Sequence, residues 1–411
     1  MSNLNTTPRA SRFTIGLFGR RNVGKSSLIN AITGQDIAVT SEIAGTTTDP
    51  VYKTMELLPI GPVVFIDTAG LDDTGELGQL RLEKTYEVLR KCNLAVVVTD
   101  AVAKITSFET EFIEQLLRRK IPCICVLNQC DKYMPDPDEF GVLKRMVKVP
   151  MVCTSARSGL GIEEVKEAII TNSEYEVTEP ALVSDIISKG DVALLVTPID
   201  KGAPKGRLIL PQQQTIRDII DCGAIAIIAK EHELKLTLER LNAPPDIVIT
   251  DSQAFHEVSA DIPSEIPLTS FSILFARQKA DLDEMVLGIK RIKNLVAGDR
   301  VLIVEGCTHH LQADDIGTVK IPRWIGQMAG EDIQFQWARG AYYPKDISKY
   351  AVIVHCGGCM LNRREMQYRI EKAREQGVYI TNYGMLIAYV MGILPRALKP
   401  FSIKAAMELT E

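Results

Sequence analysis

The sequence predicts an α/β protein of three domains, each a mostly parallel sheet flanked by helices. Three observations point to that class. Short apolar runs alternate with helical patterns along almost the whole chain, the mark of βα units. A glycine-rich loop joins the first strand to the first helix. Near the other end, two apolar strands, Val301–Val304 and Ala351–Val354, each run straight into a cluster of cysteine and histidine. At 411 residues the chain is long enough to divide into two or three cores.

Composition narrows the function before any motif is read. The chain is 46% hydrophobic and 24% charged, as a globular protein should be, and its net charge is −5. That balance argues against nucleic acid as a partner held by bulk electrostatics. No apolar run reaches the ~18–20 residues of a spanning helix, so no membrane is expected. Residues 1–11 read as a flexible tail without a signal-peptide pattern, and the expected location is cytoplasmic. Cysteines there stay reduced and available as ligands. Cys92, Cys123, Cys125, Cys130, Cys153 and Cys222 lie in or beside apolar runs and read as core residues.

The first domain, expected over 1–175, opens with the strand Phe13–Phe18 and the helix Ser26–Ile32. Between them Gly19-Arg-Arg-Asn22-Val23-Gly24-Lys25-Ser26-Ser27 is a P-loop in its strand–loop–helix setting. Glycines let successive backbone N–H groups curl around phosphates, and the helix N-terminus adds a favourable field. Lys25 is placed to reach the β- and γ-phosphates and Ser26 to bind Mg²⁺. Thr46-Thr47-Thr48 lies in a polar loop, and Thr47 is the expected second Mg²⁺ ligand. The strand Val63–Ile66 ends at Asp67-Thr-Ala-Gly70, with Asp67 holding Mg²⁺ through water and Gly70 offering an N–H to the γ-phosphate. Two more strands, Ala95–Thr99 and Cys123–Leu127, follow. The second delivers Asn128-Gln129-Cys130-Asp131, whose carboxylate can accept two N–H bonds from guanine. Adenine lacks those donors and would strand a buried charge. Ser155-Ala156, after the strand Met151–Thr154, can offer an N–H to the guanine O6. The expected nucleotide is GTP.

These residues resemble the translation-factor-related GTPases of the MnmE and Era branch, over about 12–172. Two departures bear on activity. Gln129 stands where the pattern has lysine, and Leu71 stands where many GTPases carry a water-orienting glutamine, so hydrolysis should be slow. Asn22 resembles the asparagine that binds an activating K⁺ in that branch.

The middle segment, expected over 182–265, alternates strands (Val192–Val196, Ala224–Ile228, Ile247–Thr250) with helices near 213–221 and 233–240. It has no nucleophile–base pair and no ligand spacing. A sheet this small is marginal alone and has edges to cover, so a homodimer is expected to form through it.

In the last domain, expected over 268–411, helices near 281–294 and 362–375 flank the two cysteine-bearing strands, and a further strand, Val378–Thr381, follows. Ligands of open α/β sheets bind beyond the carboxyl ends of strands. Cys307, Cys356 and Cys359, with His309 or His355 or an outside group, could there hold Zn²⁺ or a [4Fe–4S] cluster with one loosely held iron. The spacing alone leaves both open.

Cys307-Thr-His309 together with His355-Cys356-Gly-Gly-Cys359, behind such a GTPase, is similar to the HydF family of [FeFe]-hydrogenase maturation GTPases. The resemblance implies that the three cysteines bind a [4Fe–4S] cluster with an exchangeable fourth ligand, and that the middle segment dimerises. It implies a scaffold carrying the diiron precursor of the H-cluster to apo-[FeFe]-hydrogenase, with the radical enzymes HydE and HydG as partners. A competing reading is a tRNA-modification or ribosome-assembly GTPase with a zinc-bound tail; the acidic balance counts against it. An iron–sulfur redox enzyme is a third, but no flavin or nicotinamide motif is present.

Overall fold

The computed structural model describes residues 12–34, 51–68, 70, 85–173, 180–198, 208–306, 315–330, 332–340, 342–401 and 403. The chain divides into two compact units, Met1–Glu179 and Pro180–Glu411.

The first unit is built on a six-stranded sheet in the order β2-β3-β1-β4-β5-β6. Its strands are β1 (Phe13–Phe18), β2 (Val51–Leu57), β3 (Gly61–Asp67), β4 (Leu94–Asp100), β5 (Cys123–Asn128) and β6 (Met151–Cys153). All neighbours are parallel except β2, which runs antiparallel to β3. β1, β4 and β5 are apolar on both faces because helices cover both. Ile15, Leu17 and Val96 pack with Leu28 and Ile32 of α1 (Lys25–Thr33) and with Val165 and Ile169 of α5 (Ile162–Ser173). Phe18, Val97 and Cys125 face the other way, onto Phe112, Ile113 and Leu116 of α3 (Ser107–Arg118). Of the six cysteines read as core, Cys92, Cys123, Cys125 and Cys130 are buried, and Cys153 and Cys222 are half-buried.

The second unit holds two four-stranded sheets, both wholly parallel. One has the order β10-β9-β7-β8, from β7 (Val192–Val196), β8 (Ile225–Ala229), β9 (Ile247–Thr250) and β10 (Leu268–Ser270). The other is β12-β11-β13-β14, from β11 (Arg300–Glu305), β12 (Gln334–Arg339), β13 (Val352–His355) and β14 (Tyr379–Asn382). The middle sheet therefore continues past residue 265, since β10 pairs with β9. Its residues and those of the last sheet share one continuous core, in which Leu194, Val248 and Phe255 join Met285, Val301, Val352 and Leu386.

Helix α10 (Leu282–Lys293) buries Leu282, Met285, Val286, Ile289 and Ile292, the i, i+3, i+4, i+7 stripe of a helix laid on a sheet. Each such side chain contributes roughly 1.5–3 kcal/mol of burial. Gly288 lets it lie close: a Cβ there would meet Ile380 O at 2.3 Å. Helices α9 (Phe271–Lys279), α12 (Arg363–Glu375) and α13 (Tyr383–Val390) start on side-chain caps from Ser270, Asn362 and Asn382. Among the described residues, no helix is long and apolar enough to cross a membrane.

Candidate nucleotide site and cysteine site

Backbone shape makes the P-loop. Gly24 has φ 90° and Asn22 φ 63°, and a Cβ on Gly24 would meet Asn128 Nδ2 at 2.4 Å. A Cβ on Gly19 would meet Val98 O at 2.2 Å. Only glycine fits either place. Lys25 is buried, its Nζ donating to Gly19 O at 3.0 Å and Arg20 O at 2.8 Å, so the ammonium sits in the loop itself. Val23 is buried in the core under the sheet, while Ser26 and Ser27 face solvent. Ser26 Oγ donates to Asp67 Oδ2. The other carboxylate oxygen, Oδ1, is buried with no hydrogen-bond partner among the described residues. Burial pushes the Asp67 carboxyl up, and the Ser26 hydrogen bond and the Lys25 and Lys53 charges pull it down. An orphaned carboxylate oxygen beside a serine hydroxyl and a lysine fits a hard, oxygen-seeking cation such as Mg²⁺. Thr68, next to Asp67, donates its Oγ1 hydrogen to Leu17 O at 2.6 Å.

The base-reading loops are tied to the P-loop by one buried amide. Asn128 Nδ2 donates to Val23 O at 3.0 Å, and its Oδ1 accepts from Ala156 N at 3.1 Å and Thr154 Oγ1 at 3.2 Å. Asp131 is exposed and oriented by Ser155 Oγ, which donates to it at 2.7 Å and holds its carboxyl below the usual range. Gln129 links the two loops: its Nε2 donates to Asn22 O at 3.0 Å, and its Oε1 accepts from Lys132 Nζ at 2.5 Å.

In the second unit, the register Val304–His355 and His355–Asn382 brings three strand ends level. Cys356 leaves β13 there, its N–H donating to Val304 O at 2.8 Å. Its Sγ accepts from Gly306 N at 3.1 Å and Gly358 N at 3.4 Å. Burial pushes this thiol up, while the two N–H groups favour the thiolate. A sulfur with two amide donors at a strand-end crevice fits a metal–thiolate group. Cys359, one turn on, is half-exposed. Among the described residues no set of three or more His, Cys, Asp or Glu side chains is grouped to hold a metal; the third cysteine, Cys307, lies outside them.

His355 is fully buried. A guanidinium only donates, so the 3.0 Å contact from Arg369 Nη1 makes His355 Nε2 an acceptor. Nδ1 then carries the hydrogen and donates to Cys356 O at 2.8 Å. Burial and the Arg369 charge bring its pKa down to about 3. Arg369 also pairs with Glu365 at 3.1 Å, donates to Gly340 O at 3.1 Å and stacks on the Tyr343 ring.

Comparison with known proteins decides the family. The family model described as the Hydrogen maturase F dimerization domain matches residues 182–280, and the Hydrogen maturase F tetramerization domain matches 283–400. Together they span more than half of the chain. The chain belongs to the hydrogen maturase F (HydF) family. Its first unit is a Ras-like GTPase domain, matched over 14–129 by the family described as 50S ribosome-binding GTPase. GTPase Der from Sulfurimonas denitrificans is 33% identical over 172 residues, 39% of this chain and 34% of that protein. The tRNA modification GTPase MnmE from Heliobacterium modesticaldum is 34% identical over 154 residues, 37% of this chain and 32% of that protein. The chain thus spans about a third of the length of these relatives. Among solved structures, Era from Aquifex aeolicus bound to GDP·AlF₄⁻ is 18% identical at a TM-score of 0.35, covering 53% of this chain and 92% of that one.

For this HydF-family chain the structure gathers Gly19, Asn22, Val23, Gly24, Lys25, Ser26, Asp67, Asn128, Asp131, Ser155 and Ala156 around one loop system. Thr47, Leu71, Cys307 and His309 lie outside the described residues. Of the Ser155-Ala156 pair expected to offer guanine an N–H, Ser155 N donates to Leu160 O at 2.9 Å and Ala156 N to Asn128 Oδ1 at 3.1 Å. His355, expected as a possible ligand, has both ring nitrogens engaged by protein groups, Nδ1 by Cys356 O and Nε2 by Arg369 Nη1. Sequence reasoning passed over Glu109, a buried carboxylate that accepts from Arg20 Nε at 2.6 Å and from Thr106 N at 2.9 Å. Its signal was legible, since Thr106-x-x-Glu109 is a capping box. Arg369 gave none: on a basic helix it reads as one more solvated cation.

Proposed function

We propose that this chain is a GTP-hydrolysing scaffold of hydrogenase maturation. It binds GTP with Mg²⁺, carries a [4Fe–4S] cluster on Cys307, Cys356 and Cys359, and holds the diiron H-cluster precursor for delivery to apo-[FeFe]-hydrogenase. The observation that carries this reading is the Cys356 sulfur, which receives two backbone N–H groups where β11 exits toward Cys307. Soft thiolates suit iron–sulfur clusters, and amide donors to the sulfur offset their charge. The bound cluster supplies an iron with an exchangeable position, filled by His309 or by an outside group such as the cargo. His355 fixes the Cys356 peptide, and Arg369 keeps that imidazole neutral.

In the GTPase domain, Lys25 exchanges the Gly19 and Arg20 carbonyls for phosphate oxygens, while Ser26, Asp67 and Thr47 hold Mg²⁺. Asp131 reads guanine, with Gln129 and Lys132 bracing its loop. Leu71 cannot orient water, so turnover is slow, and a K⁺ at Asn22 supplies charge during hydrolysis. HydE and HydG are the partners that load the scaffold, which works as an oligomer.

Anaerobic purification followed by iron, sulfide and zinc analysis with EPR tests this. Iron and sulfide in similar amounts, with a signal on reduction, are expected. Zinc without sulfide would overturn the cluster.

A further inference from the structure

Lys279 is the last residue of α9 and lies in the segment matched by the dimerization domain, yet its side chain serves the cysteine turn of the following segment. It is buried, and its Nζ donates to Gly358 O at 2.7 Å and Leu361 O at 2.8 Å. The first carbonyl belongs to the peptide unit that supplies the Cys359 N–H. The second lies at the far end of a turn closed by Leu361 N donating to Gly358 O at 3.0 Å. Gly358 bends the chain there at φ 60°, with its own N–H on Cys356 Sγ. One ammonium therefore fixes both ends of the turn that carries Cys359 and directly follows Cys356.

Burying an ammonium is costly unless hydrogen bonds and negative charge offset it. Two carbonyls and the Phe275 ring, 5.1 Å from Nζ to its centroid, supply part of the offset. Thiolates of a metal–sulfur group held at this turn would add to it, because such a group is anionic. Ser272, near the start of the same helix, also approaches the turn: a Cβ on Gly357 would lie 3.3 Å from its Oγ.

We infer that Lys279 is a positioning residue of the cysteine site: it sets the Cys356–Cys359 turn and provides a fixed positive charge that suits the site to an anionic metal–sulfur group. This rests on the reading of the cysteines as cluster ligands. It also makes the site composite, since the segment matched as the dimerization domain contributes the charge.

The test uses the full chain as wild type, Lys279→Met and Lys279→Arg, each reconstituted with iron and sulfide under anaerobic conditions. Iron content and the cluster's midpoint potential, from an EPR-monitored redox titration, are measured. A fixed positive charge favours the reduced, more negative cluster. Lys279→Met should therefore shift the potential to more negative values or lose the cluster, while Lys279→Arg keeps iron and stays near wild type. Should Lys279→Met fail to fold by far-UV circular dichroism, Lys279→Gln, which keeps amide donors without charge, is read in its place. A neutral variant with wild-type potential and full iron overturns the inference, as does equal loss of the cluster in the arginine variant. A wild type that takes up neither iron nor sulfide removes the cluster reading itself, a distinct result.

Discussion

Asp131 is exposed, but its carboxylate is aimed by Ser155 Oγ at 2.7 Å and kept ionised. A charge-assisted hydrogen bond contributes roughly 1.5–3 kcal/mol, so Asp131→Asn should weaken GTP binding about tenfold or more. Calorimetric titration with GTP checks this; unchanged affinity would mean that the base is read elsewhere. Arg369 presents the opposite case, a cation with no exposure at all, held by Glu365, His355 and Gly340. Replacing one partner of a buried ion pair costs about 3–5 kcal/mol, because the other charge stays behind. Arg369→Met should lower the unfolding free energy from urea titration by that amount, with a lower midpoint, and Glu365→Met in the same chain should recover much of it. The two tryptophans, Trp324 and Trp337, both lie in the second unit, so fluorescence follows that unit alone. Asp131 was legible in the sequence because the nucleotide motif prescribes it. Arg369 and Lys279 were not, because what makes them matter is burial, and a charged residue on a helical pattern carries no mark of being inside.

At the scale of elements, the P-loop is shaped by positions no side chain can share. Gly24→Ala would force a Cβ into Asn128 Nδ2 at a left-handed φ, so GTP binding should be lost while far-UV circular dichroism stays the same. Retained nucleotide affinity would show that the loop can re-form around an alanine. The same loop carries Asn22, and GTP turnover should rise when K⁺ replaces Na⁺; equal steady-state rates in the two salts would remove the cation. The strands with buried, uniformly apolar runs, such as β4, β7 and β9, could be read directly, and β7 and β9 lie over the residues expected. β2, β10 and β12 could not. β2 and β12 are edge strands with irregular exposure, and β10 is only three residues long, too short to show a period. Helix α9, apolar on nearly every side, lacks the amphipathic stripe that would have announced it.

For the molecule as a whole, the expectation of self-association through the middle sheet extends to two matched segments, one for dimerization and one for tetramerization. The edge strand β8 leaves Ile225 and Ile228 about half exposed, at 52% and 48%. A charge on such an edge blocks strand-to-strand pairing. Ile228→Lys should therefore lower the assembly size seen by light scattering, and an unchanged mass would place the dimer contact on another surface. The three-domain layout was legible because each domain repeats the βα alternation. The continuous core beneath the last two sheets was not, since contacts between distant segments leave no local pattern. Because the GTPase domain and the second unit have separate cores, local changes in one should leave the other's chemistry in place. The most direct test of the account is the iron and sulfide content of anaerobically reconstituted Cys356→Ser, with GTP turnover measured on the same sample. A serine oxygen is a hard, poorly matched ligand for a soft cluster. The account predicts loss of the cluster and of its EPR signal with turnover near that of the wild type. A Cys356→Ser protein that keeps its full iron, sulfide and EPR signal would contradict it.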